Sequence, residues 1–316
     1  LSYLYFQDNH VLIDEISPKN RLGEFLDNES KFMSMSMNKS VTSYIFGHAM
    51  CDGYIGGLDE RINDWPLLSN SLYDNQKIID FLNMSVGDQK YINEFKHGTT
   101  GHPLADLKYE YETNDIFSTI GLFFKNSEKS KSYYNYNGFI TQLLFNYIKH
   151  KTGEDFQKLL NKVFQDKVKV KYSVHFGKMR NTSDNLGNMH PMVRMTRFDY
   201  LRLAKAIMDD YQNDTCVGKY LKEIHKRRIP KKYNENKYEP EFNRTKSYGG
   251  QFHMDYPGLK DKIIFGMSGY GGNMILIDVE NSRILVLNSL HYNNKQFRYN
   301  HKKLILDRFK KDKQLN

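Results

Sequence analysis

Four β-prone runs fill the last quarter of the chain, at 247–256, 261–267, 272–279 and 283–290, separated by turn formers such as Pro257-Gly258 and Glu280-Asn281-Ser282. Runs this short and this closely spaced read as an antiparallel meander. Two more open the chain, at 3–7 and 10–16, and the Asp8-Asn9 pair between them suits a tight hairpin turn. Between the two sets the pattern is helical: Val41, Ile45 and Ala49 fall at helical spacing within 36–52, which Gly53 and Gly56-Gly57 end. Further helices are expected at 78–84, 138–152, 154–164 and 196–211, the last with Thr196 and Asp199 in capping-box positions. A final amphipathic helix at 295–311 would set Leu304, Ile305 and Phe309 against a sheet. Strands followed by helices followed by strands imply that the first hairpin completes the last sheet and encloses a helical insertion. The expected class is therefore α/β in the α+β sense, an antiparallel sheet built from both termini and flanked by helices, with a mainly helical subdomain. Residues 1–35 and 240–316 would carry the sheet and 36–239 the helical part, in one structural unit.

Composition narrows the function. With 316 residues and 26% charged side chains the chain is long enough and apolar enough to bury a core. Its net charge of +9 is uneven: residues 1–160 hold 15 Lys and Arg against 21 Asp and Glu, and the remainder 31 against 16. The basic half includes Lys226-Arg227-Arg228, Lys231-Lys232 and a run from Lys302 to Lys313. No RNP-type aromatic motif, zinc-finger spacing or glycine-rich phosphate loop accompanies them, so they read as a solvated basic face and not as a nucleic-acid site. Cys51 and Cys216 form no C-x-x-C pair and indicate neither a metal knuckle nor a disulfide framework. His97 and His102 lack the H-E-x-x-H pattern and read as surface residues, so no metal and no cofactor is expected. No apolar run approaches the roughly 20 residues of a membrane helix, and no signal-peptide pattern is present, although the chain starts at Leu1 and not at Met.

Chemistry enters with Ser36-Met37-Asn38-Lys39 at the start of the first strong helix. Residues three apart share a helix face, so the Lys39 ammonium can reach the Ser36 hydroxyl. A serine is a poor nucleophile until its proton is taken, and the unpaired N–H groups and positive dipole of a helix start suit a developing oxyanion. Taken alone the spacing is weak, since an exposed lysine beside a capping serine would produce it. No G-x-S-x-G elbow occurs, which counts against an α/β-hydrolase arrangement.

The surrounding order adds to it. Ser34-Met35-Ser36-Met37-Asn38-Lys39-Ser40-Val41 with Asp52-Gly53-Tyr54, Phe81 to Gly87, Tyr136-Asn137-Gly138 with Thr141-Gln142-Leu143-Leu144, Met195 to Tyr200, and Gly266-Met267-Ser268-Gly269-Tyr270-Gly271-Gly272-Asn273 follow one another across nearly the whole chain. This succession resembles the serine β-lactamase-related hydrolases: class C β-lactamases, penicillin-binding proteins, certain esterases and 6-aminohexanoate-dimer hydrolases. The resemblance implies a β-lactamase/transpeptidase-like fold, with Ser36 as nucleophile, Lys39 as base or proton relay, and Tyr136 as the partner that exchanges a proton with the leaving group. Tyr134 is a rival, because Tyr134-Asn135-Tyr136 also fits the tyrosine motif. It further implies an oxyanion hole from the N–H groups of Ser36 and Tyr270, with Gly269 and Ser268 lining the strand. A periplasmic or secreted setting fits the same resemblance.

Two positions depart from the family. Gly138 stands where an asparagine amide would hold the substrate, and Met267 stands where β-lactamases carry Lys and many relatives His. Losing a cation there weakens recognition of a carboxylate, with Arg244, Lys246 or Arg283 as possible replacements from elsewhere. The expected substrate is accordingly a small or peptide-like ester or amide, with a β-lactamase or D-amino-acid peptidase as the alternative. A penicillin-binding-like protein without efficient turnover is the third reading.

Overall fold

Asp8 and Asn9 both take left-handed φ, 47° and 66°, so the turn between β1 (Ser2–Gln7) and β2 (His10–Ile16) has the geometry that matches strand twist. The computed structural model describes residues 1–21, 25–92, 116–178, 189–231, 245–259, 261–290, 307 and 309. His97, His102, Arg244 and all of the expected 295–311 helix except Asp307 and Phe309 lie outside them. After β3 (Lys31–Met33) and a single 3-10 turn, Met35–Met37, comes α1 (Asn38–Cys51). The short pair β4 (Arg61–Ile62) and β5 (Gln76–Lys77) leads to α2 (Ile78–Leu82), and α3 (Phe139–Thr152) and α4 (Phe156–Asn161) follow. Then come β6 (His175–Lys178), β7 (Met189–Thr196), α5 (Arg197–Gln212) and α6 (Cys216–Lys226). Thr196 accepts from the Asp199 N–H and its hydroxyl donates to the Asp199 carboxylate, which is the cap that starts α5.

The remaining strands are β8 (Ile229–Pro230), β9 (Ser247–Gly249), β10 (Phe252–Met254), β11 (Ile264–Gly269), β12 (Asn273–Asp278) and β13 (Arg283–Asn288). They join the N-terminal hairpin in one antiparallel sheet of order β2-β1-β13-β12-β11-β10-β9-β8. The expected sheet from both termini is thus present. Alternate residues serve opposite faces. Leu4, Phe6, Phe265, Met267, Ile275, Ile277, Ile284 and Val286 join the helices in the main core, while Tyr5, Ile264, Met274, Leu276, Leu285 and Leu287 pack with Phe309 on the other side. Each such side chain contributes about 1.5–3 kcal/mol of burial.

Three segments differ from the sequence expectation. Residues 17–33, for which no element is expected, contain β3, which pairs with β7 and so with β6 in a small second sheet. The expected helix 154–164 opens with a 3-10 turn at Gly153–Asp155 and closes with a π turn at Lys162–Lys167. The run 247–256 is two strands, because Gly250 and Gln251 turn at φ 55° and 67°.

Helix α1 is central. Every residue from Asn38 to Ala49 is buried, so α1 is wrapped on all sides instead of lying on a surface. Gly47 has no side chain because the Tyr220 ring of α6 lies there: a Cβ on Gly47 would come within 2.6 Å of it. The Tyr220 hydroxyl also bonds the Ser43 hydroxyl at 2.8 Å. Beyond this contact Cys51 and Cys216 are joined in a disulfide, Cα to Cα 5.8 Å, correcting the expectation that they indicate no disulfide framework. Sequence spacing missed it because the two residues are 165 positions apart and meet only when α1 and α6 pack. Among the described residues no helix is long and apolar enough to cross a membrane. Because the bridge closes a loop of this length, reduction or Cys51→Ser should destabilise the fold by about 2–5 kcal/mol. Urea unfolding with and without reductant checks this, and equal midpoints would contradict it.

Candidate active site

The backbone entering α1 is bent before Ser36. Met35 sits at φ 48°, a left-handed conformation unusual for a residue with a side chain, and costly local geometry of this kind concentrates at functional sites. The turn is pinned from both sides: the Ser34 N–H donates to Val193 O at 2.8 Å, the Val193 N–H donates to the Ser34 hydroxyl at 3.1 Å, and the Met37 N–H donates to Ser34 O at 3.0 Å. Ser36 is therefore held half-buried at the head of a buried helix.

Lys39 lies one turn in and is only 6% exposed. Its ammonium donates to the Ser36 hydroxyl at 3.4 Å and sits 4.7 Å from the Tyr136 ring centroid. Neither partner is a carboxylate. A buried ammonium whose partners are a hydroxyl and a ring face costs stability, and such costs mark sites where the charge is used. Ser36, Lys39 and Tyr136 are thus brought together. Tyr134, the rival, is buried with its ring 5.0 Å from that of Tyr248 and over the Lys231 ammonium, on the other side of the cluster.

Strand β11 passes the same turn. A Cβ on Gly269 would lie 2.7 Å from Ser34 O and 3.1 Å from the Met35 Cβ, so glycine permits the strand to touch the turn that holds Ser36. Tyr270 then begins a 3-10 turn in which Gly271 and Gly272 take φ 81° and 96°, and its carbonyl accepts from Asn273 Nδ2 at 2.9 Å. The Tyr270 side chain is exposed and Ser268 half-buried. Met267 is fully buried in the core, so it offers the pocket no polar group. Gly138 is the residue before α3, and the asparagine amides beside it, Asn135 and Asn137, turn toward Asp88.

The cation missing from β11 has neighbours the sequence did not single out. Lys231, assigned to the solvated basic run, follows β8 and is half-buried, its ammonium 5.7 Å from the ring centroids of both Tyr134 and Tyr248. It donates to His253 Nδ1 at 2.7 Å and also bonds the Thr245 hydroxyl. An ammonium only donates, so His253 accepts at Nδ1 and is neutral there. The His253 ring lies 6.1 Å from that of Tyr136. The β8–β9 pairing that brings Lys231 here leaves no sequence signal. Its neighbours Arg227 and Arg228 behave as expected of a surface run, paired with Asp59 and Asp255. Arg283 is no replacement cation: it is buried against Asp278 at 2.5 Å and over Phe309. Lys246 is exposed at the entry to β9. Among the described residues no group of three or more His, Cys, Asp or Glu could hold a metal ion.

No protein-family model matches the chain, and no curated protein does. Solved structures do. A Bacillus anthracis protein described as a 6-aminohexanoate-dimer hydrolase matches with TM-score 0.67 and 12% identity over 98% of this chain and 79% of its own. A penicillin-binding protein of Bacillus halodurans gives 0.62 and 14% over 96% of each chain. A class C β-lactamase solved with cefoxitin gives 0.64 and 12% over 97% and 92%. The chain has the serine β-lactamase/penicillin-binding-protein fold.

Two histidines make the fold sensitive to acid. Burial, then the Lys39 charge, pushes His190 down to about 4; burial pushes His48 to about 4 as well. Both folded values lie below the free value, so their stability is present above about pH 6.5 and is lost as pH falls toward 4. Asp88, raised to about 6 by burial, acts in the opposite direction. Replacing His190 with Gln should shrink the stability loss between pH 7 and 5 by on the order of 1 kcal/mol. Urea midpoints at the two pH values test this, and an unchanged difference would contradict it.

Proposed function

We propose that the chain is a serine acyl hydrolase acting through an acyl-enzyme on a small or peptide-like ester or amide. The observation that carries this is the buried Lys39 ammonium, 3.4 Å from the Ser36 hydroxyl and over the Tyr136 ring. Ser36 Oγ attacks the carbonyl carbon while its proton passes to the Lys39–Tyr136 pair, one of whose two groups is unprotonated at that step, as free amine or as phenolate. The oxyanion forms on the N–H groups of Ser36 and Tyr270, typically the largest single stabilisation in such chemistry. As the carbon–leaving-group bond breaks, the pair returns the proton to the departing oxygen or nitrogen. Water repeats the sequence, freeing the acid and Ser36.

The likeness of the fold to a hydrolase, a penicillin-binding protein and a β-lactamase agrees with this reading. The apolar Met267 and the absent amide at Gly138 favour a substrate without a carboxylate at that end. A fluorophosphonate probe should label the wild type and spare Ser36→Ala; equal labelling of both would sink the reading. Lys39→Met should slow labelling at least about 100-fold while the thermal midpoint holds or rises, because a costly buried charge is removed. Loss of labelling together with unfolding would instead make Lys39 structural.

One observation favours a second reading, a β-lactamase or D-amino-acid peptidase. The Lys231–His253 pair supplies positive charge beside Tyr136 from a different strand, where a carboxylate could be met. Under that reading Lys231→Met raises KM for a cephalosporin and leaves a neutral p-nitrophenyl ester unaffected. Ester turnover with no cephalosporin turnover excludes it. The Cys51–Cys216 disulfide is consistent with an oxidising compartment for either activity.

A further inference from the structure

Asp88, shortly after α2, is completely buried, and three donors converge on its carboxylate: Asn135 Nδ2 at 2.7 Å, Asn137 Nδ2 at 3.0 Å and the Tyr73 hydroxyl at 3.3 Å. Asn135 and Asn137 are the two residues that flank Tyr136. Both are themselves buried, and each amide does a second task. Asn135 Nδ2 also donates to Ile92 O at 2.9 Å, and the Asn135 N–H to Met84 O at 2.7 Å. The Asn137 oxygen accepts from the Ile140 N–H at 3.0 Å and so caps α3. The side chains of 135 and 137 thus go to Asp88, while 134 and 136 go to the two lysines, Lys231 and Lys39.

An ionised carboxylate accepts only, so it dictates which end of each amide faces it. The NH2 groups turn inward, the Asn137 oxygen is left for α3, and the backbone on both sides of Tyr136 is tied to one buried point. Stability alone would not select a carboxylate here. Burial raises Asp88 to about 6, so its ionised form weakens the fold as pH rises through that value. A neutral side chain of the same shape would avoid that cost but could not accept on both oxygen positions, where Asn135 and Asn137 donate separately to Oδ1 and Oδ2.

We propose that Asp88 is a positioning residue that, through Asn135 and Asn137, holds the Tyr136 phenol against Lys39 in the geometry the chemistry needs. This rests on the reading of Tyr136 as the proton carrier. The test is a double-mutant cycle on the whole chain, reading the rate constant for fluorophosphonate labelling of Ser36. Tyr136→Phe should slow labelling about 100-fold. Asp88→Asn should slow it at least about 10-fold with the circular dichroism spectrum retained, and D88N/Y136F should be no slower than Y136F within about two-fold. A full multiplicative effect of D88N in the Y136F background would show that Asp88 acts elsewhere and overturn the proposal. Wild-type labelling by D88N with Y136F slow overturns the Asp88 role alone. A wild-type rate for Y136F overturns the reading of Tyr136 and this inference together. Should D88N not fold, Asn137→Ser, which keeps a cap for α3 but loses the tie to Asp88, carries the same cycle with the same outcomes.

Discussion

The site depends on the burial of α1. A helix buried from Asn38 to Ala49 cannot turn its charged residue to water, so Lys39 is held where its ammonium meets a hydroxyl and a ring. In a medium of low effective dielectric each such contact is stronger than in water, and the absence of a carboxylate among those partners leaves the charge available to chemistry. The cost is met by packing around the helix: Val41, Tyr44, Ile45, Phe46 and Ala49 are all fully buried. Tyr220 fills the space above Gly47, and the Cys51–Cys216 bridge fastens the far end of α1 to α6. The turn before α1 that carries Ser36 is fixed differently, through Ser34 to Val193 and through the close passage of Gly269.

Much of this was legible because it is local. The hairpin turn at Asp8-Asn9 and the Thr196–Asp199 cap each depend on residues within three or four positions and appear as expected, and the first strong helix is present but starts at Asn38, with Ser36 in the 3-10 turn before it. The order of segments from Ser36 to Asn273 carried the fold through resemblance, although the structural likenesses share only 12–14% identity with the chain. What stayed hidden is nonlocal. Strand β3 is three residues long and exists through its pairing with β7. Lys231 looked like one basic residue among several until β8 joined β9 and set it between Tyr134 and Tyr248. Asp88 carried no signal, since its two asparagine partners lie 47 and 49 positions away.

Strand β11 presents a buried Met267, while Lys231, just after β8, and His253 of β10 bond each other near Tyr136. The Tyr136 ring is 6.1 Å from the His253 ring and 4.7 Å from the Lys39 ammonium, and the asparagines on either side of it bond Asp88. Basic side chains thus stand near the Tyr136 ring, and one buried carboxylate anchors the residues on either side of it.

A crystal structure of the protein inactivated by a fluorophosphonate tests the central claim most directly. The account predicts phosphorus bonded to Ser36 Oγ, one phosphonyl oxygen within hydrogen-bond distance of the N–H groups of Ser36 and Tyr270, and the Tyr136 hydroxyl turned toward the Ser36 oxygen. Phosphorus on another residue, or on Ser36 with its oxygen turned away from β11, would contradict it.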